Sequence, residues 1–492
     1  MKLALALSRN LDPRRAFILR AAAVGLLLPA VFAQNAIAYL CIAGPVVVPL
    51  FLWLRAGAAG MPILPVISGL YFIYYAVPML RGELTFYGSE SLVEAGATVG
   101  AFLLAASLAS WPFLSRARAR RTSARNFVPD RQIVRLVFIG LTAGIIYYLA
   151  LMSGSLNWLG PSISLVRSLA LTLTSLACYF LGCARTSRLL VGGQWVAALA
   201  GMILLVILSL SNLLLVGGIM NLLAAFLGYI ITGKRVPWFS MAMICAILAV
   251  LHAGKLQMRS TYWLPNSQFL EQSSAVELPA MMVDWFTGGV DALWSGGNES
   301  DLLERATLLH MLLLVQRTTP DLVPYLGGDT YALLPSMLVP RFVEPDKPQS
   351  QAGLNLLSIR YGLQTLESTA NTTIGWGVVA EAYANFGYIA VVIVGVFFGA
   401  LCGALMRISA AAAPLSVPML VTIAAALVLF NLELDLSYLI ITLFQTVVST
   451  VVFASLPKLW TSRRRRAIPA EAMLLNGEFR PHEASSNSPP NG

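Results

Sequence analysis

Long apolar blocks follow one another along most of the chain and are separated by short polar segments. A membrane-spanning helix needs about 20 mostly apolar residues, and the blocks have that length. The pattern therefore predicts twelve membrane-spanning helices. In chain order they lie at 17–33, 36–54, 62–80, 92–113, 133–152, 163–183, 194–211, 212–232, 237–254, 380–405, 415–433 and 438–457.

Two of these divisions depend on short polar signals inside longer apolar stretches. Gln34-Asn35 separates the first two spans, and Ser211-Asn212 separates the seventh from the eighth. The spans divide the chain into four parts. They are an N-terminal bundle at 1–254, a large polar region at 255–375, three C-terminal spans within 376–457, and a basic and then disordered tail at 458–492.

The composition agrees with an all-α polytopic membrane protein and excludes several other classes. The chain has 492 residues, 58% of them hydrophobic and 11% charged, with a mean hydropathy of +0.75. A soluble domain carries roughly 25% charged residues, so a soluble enzyme, a disordered protein and a fibrous repeat are excluded. All five cysteines lie in apolar blocks, and their spacing indicates neither a structural disulfide in the polar region nor a metal site.

The net charge of +10 indicates membrane topology rather than a nucleic-acid partner. Lys and Arg gather on cytoplasmic segments, and twelve spans place both termini on one side. With that side inside, the basic runs at 116–121 and 463–466 are cytoplasmic, and 255–375 lies outside. We expect a multi-pass protein of the bacterial inner membrane. Alternatively, Arg14-Arg15 begins a twin-arginine signal that is cleaved after 31–33, which leaves the other spans unchanged.

The polar region 255–375 is the one large part of the chain outside the predicted spans. It holds 12 of the 23 acidic residues and 7 of the 33 basic ones. Its apolar stretches predict an interface helix at 278–296 broken at Gly288-Gly289, an amphipathic helix at 301–316 and a compact turn-rich segment at 327–348. A loop of this length is usually functional. The alternative is a lid that only covers the bundle.

Four cations in this acidic region are candidates for phosphate binding, because Arg and Lys recognise phosphate oxygens. Prolines fix the backbone beside two of them. The alternative for each cation is a pair with a neighbouring carboxylate. The four candidates are Arg305, Arg317, Arg341 and Lys347.

Two residues are candidates for a general base. His310 lies seven residues before Arg317, so both would point the same way on a helix; a packed histidine is the alternative. Glu381 lies near the outer end of the tenth span, where a carboxylate is costly unless it is hydrated, paired or functional. It could also be an acid that the helix dipole favours. Asp435, in the last outside turn, either lines the same pocket or is solvated.

Two segments in this order resemble a known family. Gly-Asp-Thr-Tyr at 328–331 is followed by Pro-Arg and by Pro-Asp-Lys-Pro, which ends at 348, and Glu-Ala-Tyr-Ala-Asn-Phe-Gly at 381–387 opens a span. Together with the twelve-span layout, they resemble the Wzy-type polymerases of oligosaccharide repeat units, which build O-antigen and exopolysaccharide. The motifs cover about 60 of the 492 residues.

The resemblance implies a GT-C-type membrane glycosyltransferase that needs no metal or other cofactor. Its substrates would be glycans linked to undecaprenyl pyrophosphate, with membrane lipids around it and a flippase and a chain-length regulator as possible partners. Arg341 and Lys347, then Arg305 and Arg317, would stabilise the departing pyrophosphate, and Glu381 or His310 would accept the proton of the acceptor hydroxyl. The remaining candidates for substrate contact are Asp329, Tyr331, Tyr383 and Asn385.

Two other functions stay open at this point. An O-antigen ligase has a similar number of spans and a large periplasmic loop. A polysaccharide transporter or flippase is the alternative from another class, and it would often show internal repeats and broken helices. The sequence shows no clear repeat and few charges in the middle of its spans.

Overall fold

The computed structural model describes residues 13–33, 35–80, 88–117, 130–211, 213–233, 236–262, 277–294, 308–339, 341, 343–344 and 346–466. Within these ranges the chain is helical and contains no β-strand. In lipid every backbone polar group needs an internal partner, which an α-helix supplies within one segment. The α-helical, polytopic fold class predicted from the sequence is confirmed.

The first nine helices form most of the N-terminal bundle. They are α1 (Pro13–Gly25), α2 (Ala36–Arg55), α3 (Ile63–Tyr71), α4 (Ser89–Ala117), α5 (Asp130–Met152), α6 (Ile163–Thr186), α7 (Gly193–Leu210), α8 (Leu215–Gly233) and α9 (Trp238–Tyr262). Helix α2 begins directly after Asn35, and α7 and α8 are separated near Ser211, as the polar residues predicted. The Asn35 side chain caps α2 by accepting from the Ala38 amide at 3.0 Å.

Six shorter helices follow in the polar region, and three helices complete the chain. The six are α10 (Leu278–Trp294), α11 (Leu308–Thr318), α12 (Asp329–Ala332), α13 (Leu334–Leu338), α14 (Ala352–Arg360) and α15 (Leu366–Asn371). The last three are α16 (Gly377–Ala410), α17 (Val417–Leu429) and α18 (Leu436–Arg466). The term "outer region" is used below for residues 255–375.

Ten helices among the described residues are long and apolar enough to cross a membrane, against the twelve predicted. The first predicted span is divided, because α1 ends at Gly25 and a separate 3₁₀ turn occupies Leu28–Phe32. The eleventh has only the 13 helical residues of α17, since Ser416 has extended backbone and a polar turn follows Phe430. Each of the other ten predicted spans coincides with one of these ten candidate helices.

Helix α16 packs along α4 through three glycines at four-residue spacing. Gly395, Gly399 and Gly403 face the α4 backbone, and a Cβ at Gly399 would collide with the Ala106 carbonyl. Small residues at this spacing let membrane helices approach closely, so dispersion contacts replace the missing hydrophobic driving force. The close contact of α4 with α16 fixes where the N-terminal end of α16 lies.

The predicted break at Gly288-Gly289 is wrong, because α10 continues through both glycines. Gly289 packs directly against α9 at Val250 and Gly254, and the Trp285 indole donates to the Leu251 carbonyl at 2.6 Å. The glycines therefore serve close packing of α9 and α10 rather than a break. Helix α9 also extends to Tyr262, beyond its predicted end at 254.

The structure describes part of the predicted amphipathic segment, part of the turn-rich segment and the start of the tail. Helix α11 occupies the end of the predicted amphipathic segment, whose residues 301–307 lie outside the described ranges. The turn-rich segment contains the short helices α12 and α13. The chain divides into the units Met1–Thr450 and Val451–Gly492. Residues 451–466 are helical, and the tail at 467–492 is outside the described part.

Candidate functional site

Helix α16 is broken near its outer end, and the break builds one wall of the candidate site. Phe386 and Gly387 leave helical geometry, with Gly387 at φ 66° and ψ −150°, a conformation that favours glycine. The carbonyls of Ala384 and Asn385 accept hydrogen bonds from the amides of Leu326 (3.0 Å) and Gly327 (3.2 Å). The outer region thus supplies the donors for carbonyls next to the break.

The part of α16 that follows the break is long enough by itself to cross a bilayer. Its 34 residues correspond to about 51 Å of helix, whereas the hydrocarbon core is about 30 Å thick. Residues 388–410 alone would extend about 35 Å. Residues 377–385 are buried by protein, while Ile389 and Ile393 beyond the break are exposed, as lipid-facing residues are.

The side chain of Asn385 fastens the outer region to α16. Its Oδ1 accepts from the Gly328 amide at 3.1 Å, and its Nδ2 donates to the Thr330 hydroxyl and to the Glu381 carbonyl, both at 2.9 Å. From α18, the Ser437 hydroxyl donates to the Thr330 carbonyl at 2.8 Å. Helix α12 is therefore held from two membrane helices.

Glu381 and Asp435 form a buried acid pair beneath α12. Both residues are 0% exposed. Glu381 Oε2 accepts from the Leu436 amide at 2.6 Å, and Asp435 Oδ1 accepts from the Tyr438 amide at 2.8 Å. The other oxygen of each carboxyl group and the Tyr331 hydroxyl have no hydrogen-bond partner among the described residues. The carboxyl groups are close enough to interact electrostatically.

Burial is the main influence on the pKa values of Asp435 and Tyr331, the two groups of this cluster that lie outside the membrane-spanning helices. It raises the pKa of the Asp435 carboxyl above its ordinary value, and the two backbone amides that bond it act in the opposite direction. Burial also raises the pKa of the Tyr331 phenol, with further contributions from Glu381 and Asp435. One proton bound by the acid pair relieves the repulsion that two buried carboxylates would otherwise exert on each other.

We expect thermal stability to fall as pH rises above about 4, the ordinary pKa of aspartate. The folded state keeps a proton on Asp435 that the unfolded chain has released, so raising the pH favours the unfolded state. Thermal unfolding in detergent between pH 4 and pH 7 should show a loss of about 5 °C, and the loss should be smaller in Asp435→Asn, which keeps only one acid of the pair. An equal pH dependence in wild type and variant would contradict the assignment.

A surface cavity of about 530 Å³ opens on the other side of α12 and α14. This volume is within the range of roughly 300–1,000 Å³ typical of small-molecule sites. Its lining combines a carboxylate, a guanidinium, amides and a hydroxyl with apolar side chains. The lining residues are Leu326, Asp329, Gln349, Ala352, Asn355, Leu356, Ile359, Arg360, Leu366 and Thr369.

The cavity and the acid pair share their walls. On α12, Asp329 lines the cavity, while the following Thr330 and Tyr331 face the acid pair. On α14, Asn355 and Arg360 line the cavity, while Gly353 lies directly against the Asp435 carboxyl group and leaves no space for a Cβ. The acid pair of Glu381 and Asp435 therefore lies one layer of helices below the side chains that a ligand would contact.

Two predicted phosphate-binding cations bond their own turn in the structure. Lys347 Nζ donates to the carbonyls of Met337 (2.7 Å) and Val339 (2.5 Å). Arg341 Nη2 donates to the Pro348 carbonyl at 3.4 Å. Burial and the Arg341 charge lower the pKa of Lys347. These contacts hold the segment after α13 in place, and neither side chain lines the cavity.

The other predicted site residues are dispersed. Tyr383 donates to Glu94 Oε1 on α4 at 3.0 Å and is thus directed to a different polar cluster from the acid pair. His310 and Arg317 both lie on α11, which Gln316 ties to α4 through the Thr98 hydroxyl at 2.8 Å. Arg305 lies outside the described residues. Asp329, Tyr331, Asn385 and Glu381 are the predicted residues that the structure brings together.

Sequence reasoning missed Arg360, Asn355 and Glu94. Arg360 is one of the seven cations of the acidic outer region, so the same charge argument could have included it. Glu94 is a carboxylate within an apolar span, a signal that indicates a functional or paired group. Asn355 carries no distinguishing sequence signal.

Comparison of the chain with protein-family models, with curated proteins and with solved structures finds no match. The site therefore defines the class only as a multi-pass α-helical membrane protein with a polar cavity on its outer region. Any narrower function has to be argued from the residues of that cavity.

Proposed function

We propose that the protein is a membrane glycosyltransferase that polymerises oligosaccharide repeat units linked to undecaprenyl pyrophosphate. It would act at the periplasmic face of the bacterial inner membrane, with both termini cytoplasmic. The single observation that carries the proposal is the cavity with Asp329 and Arg360 in its lining, at one end of a membrane bundle. The resemblance of 328–348 and 381–387 to Wzy-type polymerases supplies the substrate class.

The cavity lining suits the chemistry of glycosyl transfer. The acceptor hydroxyl oxygen attacks the anomeric carbon of the growing chain and forms a new glycosidic bond. The bond between that carbon and the phosphate oxygen breaks, and the electron pair leaves with the lipid pyrophosphate. Asp329 takes the hydroxyl proton, and Arg360 stabilises the charge that develops on the pyrophosphate.

Exposure favours Asp329 over Glu381 as the proton acceptor. Asp329 is exposed and lines the cavity, whereas Glu381 is fully buried behind α12. We therefore assign Glu381 and Asp435 a positioning role. They fix the start of α18 through the Leu436 and Tyr438 amides, and α18 in turn fixes α12 through Ser437.

The purified full-length protein in liposomes tests the proposal directly. The substrate is the lipid-linked repeat unit extracted from a deletion strain, which should accumulate single units. We expect a ladder of products of increasing length, and Arg360→Gln should reduce the transfer rate at least about 100-fold. Unchanged single units with folded, reconstituted protein would overturn the proposal. Transfer of preformed chains to a lipid acceptor without a ladder would identify a ligase.

The broken helix α16 is the observation that favours a transporter as the second candidate, because transporter sites are often built at broken helices. Here, however, the Ala384 and Asn385 carbonyls beside the break accept hydrogen bonds from the Leu326 and Gly327 amides, so they are already occupied by protein donors. Movement of the fluorescent lipid-linked unit across the vesicle membrane, without a product ladder, would establish transport instead.

A further inference from the structure

Three basic side chains lie along one face of α9, at the end that leads into the outer region. His252, Lys255 and Arg259 are separated by three and four residues, the spacing that places side chains one above another on a helix. All three are half-buried. Together they form a stripe about 10 Å long, called the α9 basic stripe below.

The α9 basic stripe is turned away from α10, the helix that packs on α9. The α10 contact uses the Leu251 carbonyl and Gly254. His252 and Lys255 each follow one of these residues directly, so they lie about 100° further round the helix. The stripe is therefore not covered by the α9–α10 contact.

The stripe faces a polar rim formed by two turns of the bundle. Arg259 Nη2 donates to the Leu213 carbonyl, between α7 and α8, at 3.4 Å. Glu433, in the turn before α18, acts electrostatically on both Lys255 and Arg259. Within the described ranges, no carboxylate forms an ion pair with Lys255. Lys255, Arg259 and Glu433 together carry a formal charge of +1.

Helix α9 is also the least buried of the ten candidate spans among the described residues. Only 11% of its apolar window is buried, compared with 61% for α4. Trp238, Phe239 and Met243, in the first two turns of α9, are more than half exposed. Acyl chains can therefore lie against α9, and its basic stripe stands at the end where their headgroups would be.

We infer that the α9 basic stripe binds the phosphodiester headgroup of an anionic two-tailed phospholipid. Lys255 and Arg259 are four residues apart and can hold one phosphate group between them. The formal charge of +1 on Lys255, Arg259 and Glu433 matches a single phosphodiester, whereas a diphosphate would leave excess negative charge in a half-buried place. This lipid site is separate from the cavity on α12 and α14, and it does not depend on the proposed function.

Native mass spectrometry of the full-length protein in detergent tests the inference with phosphatidylglycerol as the probe. Phosphatidylcholine with the same acyl chains is the neutral comparison, and a polyprenyl diphosphate and inorganic phosphate are the competing sources of the same chemistry. We expect retained phosphatidylglycerol, with about fivefold weaker binding for Lys255→Gln and for Arg259→Gln. Glu433→Gln should bind it more tightly, because it removes the competing acid.

Arg188→Gln is the matched control, since it removes one exposed cation from the turn after α6 and should leave binding unchanged. The gain in Glu433→Gln keeps the test decisive even if one loss variant folds poorly. Wild-type binding in both loss variants, or no gain in Glu433→Gln, would overturn the inference. Stoichiometric displacement of phosphatidylglycerol by polyprenyl diphosphate or by inorganic phosphate would also overturn it.

Discussion

Replacing Asp329 with Asn should slow the proposed glycosyl transfer at least about 100-fold while leaving the protein folded and inserted. The substitution keeps the size and shape of the side chain but removes its capacity to accept a proton. Asp329 is exposed at the cavity wall, so its replacement breaks no hydrogen bond of the core. The rate of product elongation in liposomes measures the effect, and thermal unfolding of the same preparations measures stability.

Asp321→Asn is the matched control for this experiment. Asp321 is another exposed acid of the outer region, but it does not line the cavity. Its variant should elongate chains at the wild-type rate. Full activity of Asp329→Asn would remove Asp329 from the reaction and return the assignment to Glu381 or His310. Equal losses in both variants would show that the overall charge of the outer region matters, rather than this carboxylate.

The membrane architecture was largely predictable because lipid imposes a simple rule on sequence. A spanning helix must be apolar for about 20 residues, and this requirement is visible without knowledge of any contact. Asn35 and Ser211 were sufficient to place helix ends within otherwise continuous apolar stretches. The rule fails at α17, where apolar residues on both sides of the helix leave helical geometry within the bundle.

The buried acid pair was not predictable in the same way. Glu381 and Asp435 are 54 residues apart, Glu381 on α16 and Asp435 directly before α18, so their proximity depends on how α16 and α18 pack. The sequence identified each as an acid near the outer side and left open whether Asp435 was solvated. Full burial of both is a property of the packing of α12 and α14 above them.

The phosphate-binding hypothesis illustrates a second limit. Arg341 and Lys347 stand beside prolines, and the sequence favoured them because proline fixes the backbone near a ligand. In the structure the same cations bond carbonyls of their own turn. A sequence shows which cations exist, but it does not show whether the nearest oxygen belongs to a ligand or to the backbone. Arg360 was not among the predicted cations, although it lines the cavity.

Asn385→Ala should strongly destabilise the fold. A fully buried amide that makes three hydrogen bonds is lost, and the Gly328 amide, the Thr330 hydroxyl and the Glu381 carbonyl lose a partner. Each unpaired buried group costs about 1–3 kcal/mol, so we expect a loss of about 3 kcal/mol and a fall in Tm of about 5–10 °C. Exposed Asn157→Ala should change stability by less than about 0.5 kcal/mol.

Asn385→Asp separates the hydrogen bonds from the charge. The new carboxylate can still accept from the Gly328 amide, but it cannot donate to Thr330, and it adds a third acid beside Glu381 and Asp435. We therefore expect Asn385→Asp to unfold at a lower temperature than Asn385→Ala at pH 7. The difference should shrink at pH 5, where a buried carboxyl group more readily keeps its proton. A variant as stable as the wild type at pH 7 would contradict the placement of Asn385 in the cluster. Limited proteolysis of the outer region should report the same order, because Asn385 holds α12 to the membrane helices.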